Sequence, residues 1–195
     1  MGYEHDIFIS YRRTNTQGQW VANHFVPRLQ ARLNENAPDS VRVYWDGLMD
    51  DGVKFPEELK SRIRTSRLLL PVWSADYFRS SWCMAEWQSF RRREEALGLF
   101  LRRHPQGLIY PIRYADGDYF PKDAKETQCR KDFSLLNFPE EIFKSTVKYT
   151  EFDKLVQEVA KDLVIRLDAV PPWKRDFPIV EPQPMEPVNL RRIRL

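Results

Sequence analysis

The chain is poor in the residues from which most active sites are built. Its two cysteines, Cys83 and Cys129, stand far apart and in no metal-ligand spacing, so reduced thiols are expected rather than a disulfide framework or a metal cluster. Three isolated histidines, His5, His24 and His104, supply too little for a zinc site or a histidine-based triad. Seven glycines form neither G-x-G-x-x-G nor G-x-x-x-x-G-K-[ST], which argues against dehydrogenase and P-loop chemistry. No apolar run approaches the roughly 18 residues of a membrane span. The polar start Met1-Gly2-Tyr3-Glu4-His5-Asp6 is no signal peptide, and Asp6 stands where a myristoylation signal has Ser or Thr. A cytoplasmic protein with no membrane partner is therefore expected. Charge of one sign is lacking too. The net charge is +3, and basic residues alternate with acids except in short runs such as Arg91-Arg92-Arg93 and Arg102-Arg103, so no nucleic-acid partner is expected.

What remains, over 195 residues with 42% hydrophobic and 30% charged content, fits one domain of ordinary size with an appendage. Asp6-Ile7-Phe8-Ile9-Ser10-Tyr11 reads as a buried strand closed by the polar Arg12-Arg13-Thr14-Asn15. Val21, Phe25, Leu29 and Leu33 recur at helical spacing, with Pro27 expected to kink or delay the helix. Val41 to Trp45 reads as a second strand, followed by the loop Asp46 to Gly52, and Pro56-Glu57-Glu58 opens a helix. Leu68-Leu69-Leu70-Pro71-Val72-Trp73 is a third strand, apolar enough to be covered on both faces of a parallel sheet. Leu108 to Ile112 reads as a fourth strand, near the sheet edge because of Pro111, and Val147-Lys148-Tyr149 as a short fifth.

Residues 115–140 carry no strong periodicity. Thr150 and Asp153 have capping-box spacing, and Phe152, Leu155, Val156, Val159, Leu163 and Leu167 mark a last amphipathic helix. Strands alternating with helices imply an α/β, flavodoxin-like three-layer fold on a parallel sheet. Residues 1–169 form the expected domain. Residues 170–195, with Pro171, Pro172, Pro178, Pro182, Pro184 and Pro187, form an extended strap or linker that could lead to a sensor or effector.

In such a sheet, ligands bind at the carboxyl ends of the strands. The loops there hold Ser10, Arg12, Arg13, Trp45, Asp46, Ser74 and Tyr77. The helix after the third strand, capped by Ser80 or Ser81, places Trp82 and Glu86 four residues apart on one face. On spacing alone, the favoured reading is Glu86 as a solvated helix position and Trp82 as a core position. An indole beside a carboxylate also suits a flat cationic ligand. Arg12 and Arg13 can pair with phosphates or simply meet water. A receiver-type magnesium site is excluded, because the first strand ends in cations rather than carboxylates.

Tyr3 to Tyr11, ending Phe8-Ile9-Ser10-Tyr11, the loop Asp50 to Phe55, and Ser74 through Trp82-Cys83 to Glu86 together resemble a Toll/interleukin receptor (TIR) domain of bacterial type. The resemblance spans roughly residues 3–168 and implies a five-stranded parallel sheet with a mobile loop at about Asp46 to Phe55. In the NAD-cleaving branch of that family it also implies a catalytic glutamate at Glu86. Trp82 or Phe55 would stack on the nicotinamide, and Arg12, Arg13 and Ser10 would face the phosphates. Trp45, Asp46, Ser74, Tyr77 and Cys83 would complete the substrate-binding set, Cys83 as a packed rather than nucleophilic residue.

NAD+ is then the substrate, with no cofactor or metal. The products are nicotinamide with ADP-ribose or a cyclic ADP-ribose isomer, the setting is bacterial anti-phage immunity, and activation comes through head-to-tail homo-oligomers of TIR domains. The alternative is a non-catalytic TIR–TIR scaffold, although Met49 to Pro56 lacks the Arg-Asp…Pro-Gly pattern of animal adaptors and no Phe-Trp pair precedes the last helix. A third reading is nucleoside transfer on a deoxyribosyltransferase-like fold.

Overall fold

The computed structural model describes residues 2–13, 15–45, 57–99, 107–115, 117–127, 129 and 131–183. In chain order the elements are β1 (His5–Ser10), α1 (Asn15–Trp20), a π-helical turn (Val21–Phe25), α2 (Val26–Asn36), β2 (Val43–Trp45), α3 (Glu57–Arg64) and β3 (Ser66–Trp73). There follow α4 (Ala75–Phe78), α5 (Ser81–Ala96), β4 (Ile112–Arg113), α6 (Lys122–Glu126), β5 (Lys131–Asp132), a 3-10 turn (Glu141–Ser145) and α7 (Val147–Asp168). The sheet is parallel, in the order β2-β1-β3-β4-β5, the flavodoxin-like arrangement. Right-handed crossovers leading in opposite directions place their helices on opposite faces. Hence α1 and α2 cover one face and α3 and α5 the other, while α7 returns to pack along α2.

The two central strands are the two apolar runs. Ile7, Phe8 and Ile9 of β1 and Leu68, Leu69, Leu70, Val72 and Trp73 of β3 are all buried, because helices cover both faces of these strands. Pro71 lies inside β3, opposite Ser10 of β1. Leu69 and Trp73 direct their backbone bonds toward β4, so the N–H that Pro71 lacks is missing on that side. Pro111 faces the same gap, which separates the isolated Leu69–Ile109 bridge from the pairing that resumes at Val72–Ile112. The fourth strand is therefore Ile112–Arg113 rather than 108–112. Pro111 marks an interruption in the ladder of β4, which lies near the sheet edge, one strand in from β5.

Two further expectations are corrected. The fifth strand is Lys131–Asp132, within the aperiodic segment, and Val147-Lys148-Tyr149 is instead the first turn of α7. Two charged residues on an edge strand leave no alternating pattern to read. The N-cap of α7 is Thr146, one turn before the Thr150–Asp153 pair, and the Asp153 carboxylate takes Arg28 and Arg32 of α2 together. Pro27 sits in the first turn of α2. The preceding turn opens to π geometry, with Val26 N–H donating to Val21 O, which accommodates the ring without ending the helix.

The described part of the tail forms no helix or strand and lies across α3 and α5. Trp173 Nε1 donates to Arg64 O at 3.2 Å, Tyr3 Oη to Pro171 O at 2.9 Å, and Val180 N to Ser89 Oγ at 2.8 Å. Phe177 is buried over the Arg93 guanidinium, 4.3 Å from it, and Phe90 lies at the same distance. Arg93 donates to Ser66 O and Ile63 O at 2.7 Å each. The strap thus covers a buried cation whose hydrogen bonds tie α5 to β3 and to the end of α3.

Candidate active site

Residue Glu86 lies in the second turn of α5, whose N-terminus is capped by Ser80 Oγ accepting from Cys83 N at 3.3 Å. Its side chain is held almost out of solvent, at 8% exposure. Ser10, the last residue of β1, donates its hydroxyl to Glu86 Oε2 at 2.5 Å. The same Oγ lies 3.0 Å from Tyr77 Oη, which donates to Cys83 O at 3.2 Å. Tyr77 is fixed in turn by its own backbone. Its N–H donates to Ser74 Oγ at 3.1 Å, Ser74 Oγ donates to Gln17 Oε1 at 2.8 Å, and Gln17 Nε2 donates to Val72 O at 2.7 Å. β1, β3, α1, α4 and α5 thus meet around one carboxylate at the carboxyl end of the sheet, where an open parallel sheet binds ligands.

Two neighbours of Glu86, Cys83 and Tyr77, stay neutral near pH 7. Burial pushes the Cys83 thiol up to about 12, helped by the Glu86 charge and opposed by Ser80, Arg12 and Arg13. Burial, with Cys83 and Glu86, pushes the Tyr77 hydroxyl well above its usual range. Among the described residues of the cluster Glu86 is the one carboxylic acid, and Cys83 is a packed thiol rather than a thiolate nucleophile.

Sequence reasoning placed Ser10, Ser74, Tyr77 and Cys83 against substrate. All four are buried, and each acts here by supporting Glu86 or the turn beside it. Ser10 in particular gives its hydroxyl proton to Glu86. Arg12 and Arg13 occupy the loop after β1, both partly exposed, and Trp82 is half-buried on α5. Trp45 closes β2 opposite Ile9. Asp46 and Phe55 lie outside the described residues.

Two supporting residues escaped the sequence reading. Gln17 gave no signal, because its partners are remote in sequence. Gly18 was readable only as a glycine inside a helical stretch. A Cβ there would sit 2.1 Å from Arg13 O and 2.9 Å from Arg13 C, so only glycine lets α1 approach the loop that carries Arg12 and Arg13.

A hollow of about 370 Å3, walled by Trp73, Arg113, Phe120, Lys125 and Cys129 among others, includes none of the residues of the Glu86 cluster. Among the described residues, no three His, Cys, Asp or Glu side chains converge as metal ligands. No helix among them is long and apolar enough to cross a membrane.

The family model described as TIR domain matches residues 7–134. The chain belongs to the TIR domain family. Its match runs from β1 through β5 and so includes Ser10, Tyr77 and Glu86. Among curated proteins, this TIR chain is 27% identical over 177 residues to the disease resistance protein RPS4 of Arabidopsis thaliana, covering 87% of the chain and 14% of that protein. A form named inactive disease resistance protein RPS4, from the same plant, is 26% identical over the same shares. The TIR chain therefore spans about one seventh of the length of these relatives.

Solved structures of TIR domains also resemble it. One comprises the TIR domains of the activated Roq1 resistosome recognising the pathogen effector XopQ, with TM-score 0.41 and 20% identity over 80% of this chain and 84% of that one. Another is the TIR domain of the Toll-related receptor TRR-2 from Hydra magnipapillata, with TM-score 0.46 and 19% identity over 78% and 98%. The curated relatives are plant proteins, so they support TIR membership and not the bacterial type expected from the sequence.

Proposed function

We propose that this TIR domain is an NAD+ nucleosidase in which Glu86 is the catalytic residue. The observation that carries the proposal is a single acid, fixed by Ser10 at the carboxyl end of the sheet, with Trp82 one helical turn away and Arg12 and Arg13 on the adjoining loop. In the reaction the bond between ribose C1′ and the nicotinamide nitrogen breaks, and its electron pair leaves with nicotinamide. The leaving group departs neutral from a bond that was already cationic, so the paired acid of ordinary glycoside hydrolysis is not required.

The barrier lies in the positive charge that develops on the ribose. A preorganised carboxylate stabilises that charge by roughly a few kcal/mol, the scale of a single well-placed polar group in an active site. Half-buried Trp82 offers an indole surface to the flat pyridinium ring, and Arg12 and Arg13 offer guanidiniums to the diphosphate. Water that then adds to C1′ and loses a proton gives ADP-ribose, whereas attack by an adenine nitrogen gives a cyclic isomer.

The proposed setting is immune defence, supported by the disease-resistance relatives. Anti-phage defence, expected from the bacterial-type resemblance, is one form of it. Head-to-tail assembly with other copies completes the proposal. The test is nicotinamide release from NAD+ at high protein concentration, with the co-product identified, for wild type and for Glu86→Gln and Glu86→Ala. Release that the substitutions abolish while the fold persists supports the enzyme. A wild type that releases none under any assembly-promoting condition overturns it in favour of the TIR–TIR scaffold.

A further inference from the structure

The hydroxyl groups behind Glu86 can be counted proton by proton. Glu86 Oε2 accepts from Ser10, so the single Ser10 proton is committed, and Ser10 Oγ is left with lone pairs and a neighbour at 3.0 Å, Tyr77 Oη. Tyr77 stays protonated and has one proton for two acceptors, Ser10 Oγ at 3.0 Å and Cys83 O at 3.2 Å. When that proton points at Ser10, the two hydroxyls run in series toward the carboxylate, and each bond polarises the next. The ring that carries the second hydroxyl cannot drift. It is fully buried, packs edge-on to Phe78 at 5.3 Å, and has its backbone N–H held by Ser74.

From this geometry we infer that Tyr77 is a positioning residue for Glu86 that acts through Ser10. Tyr77 makes no hydrogen bond to Glu86 and is fully buried, so its hydrogen-bonded link to the carboxylate runs through the Ser10 hydroxyl. The same bonds make Ser10 a clamp with two faces. One holds the rotamer of Glu86, and the other reports the position of the α4 turn, because the Tyr77 ring hangs from a backbone N–H held by Ser74, which Gln17 holds in turn. A shift of α1 or α4 would therefore reach the carboxylate through side chains that make no hydrogen bond to it. The catalytic consequence rests on the proposed nucleosidase reading, but the positioning itself does not.

The experiment uses the full chain as wild type, Tyr77→Phe, Ser10→Ala and the double variant, with thermal melts to establish that each is folded. Both substitutions delete an oxygen and leave the surrounding volume filled. The first readout needs no substrate: the carboxyl-carbon NMR signal of Glu86 is followed against pH. Ser10→Ala removes a donor to the ionised carboxylate, so the signal titrates at higher pH than in wild type. Tyr77→Phe moves it the same way by less, and adding Tyr77→Phe to Ser10→Ala moves it no further.

The second readout is nicotinamide release. Tyr77→Phe lowers kcat by about tenfold, the effect of one hydrogen bond of ordinary strength, with KM within about twofold because Tyr77 is fully buried. The double variant is no slower than Ser10→Ala alone, as expected for groups acting in series. A Glu86 titration that Tyr77→Phe leaves unmoved while Ser10→Ala shifts it overturns the inference, as do fully additive effects in the double variant. If the wild type releases no nicotinamide, only the nucleosidase reading falls, and the titration still decides the role of Tyr77.

Discussion

Replacing Glu94 by Gln is expected to stabilise this protein, and to do so only above the acid range. Glu94 lies two turns beyond Glu86 on α5 and is buried. Its Oε1 accepts Leu108 N at 2.5 Å and Ile109 N at 3.1 Å. Those bonds favour the ionised form, and Arg91 and Arg166 add to them. Burial outweighs them all and pushes the carboxyl from its ordinary 4.5 up to about 7.

The sign follows from counting protons. Between these two values the folded chain keeps a proton that the unfolded chain has lost, so stability falls as pH rises through this window and is flat above it. At 1.36 kcal/mol per pH unit, a window from 4.5 to about 7 corresponds to about 3 kcal/mol. Glutamine keeps Oε1 as an acceptor for both amides and carries no charge to desolvate. At pH 8 Glu94→Gln should therefore gain up to about 3 kcal/mol, or roughly 6–12 °C in Tm for a chain of this size. At pH 4.5 the two proteins should melt together. Urea unfolding curves from pH 4.5 to 8.5 provide the check. A variant less stable at pH 8, or a difference that does not change with pH, would refute the reasoning.

Gly18→Ala places a methyl against the Arg13 backbone. It should lower stability by about 1–3 kcal/mol, as overpacking does, and, on the proposed nucleosidase reading, should raise KM for NAD+ at nearly constant kcat by displacing Arg12 and Arg13. Phe177→Ala should cost about 3 kcal/mol, since it removes an aromatic side chain buried over Arg93 and against Tyr3, and chemical denaturation measures it. Asp153 is drawn down to about 2 by Arg28 and Arg32, so it contributes stability above its ordinary 3.8 that is lost as pH falls toward 2. Asp153→Asn should flatten this acid limb and cost about 2 kcal/mol at pH 7, and acid titrations of the folded fraction in both proteins test it.

Burial pattern and helix chemistry made half of the fold legible from residues alone. Ile7-Phe8-Ile9 and Leu68-Leu69-Leu70 are continuous apolar runs because two layers of helices cover them, and Ser80 announces α5 because a serine oxygen satisfies a free amide there. β4 was read a few residues too early and β5 stayed hidden, because strands of two residues are too short to show a period. Pro111 pointed to the edge region, but not to the ladder interrupted opposite another proline. Thr150 and Asp153 had the spacing of a cap, but Asp153 was claimed by two arginines more than a hundred residues earlier in the chain.

The residue types at the site followed from sequence: one glutamate after a tryptophan on a capped helix, two arginines after the first strand, and too few cysteines, histidines and glycines for other chemistries. Their mutual roles did not. Ser10 and Glu86 are 76 residues apart and Gln17 and Ser74 are 57 apart, and a hydrogen bond across such a separation leaves no periodicity in either segment. Only the packing of β1 against β3 and of α5 over both turned Ser10 and Tyr77 inward. Local pattern determined which elements form, because it depends on neighbours in the chain. Tertiary structure decided which hydroxyls reach the carboxylate, because that depends on where the elements meet.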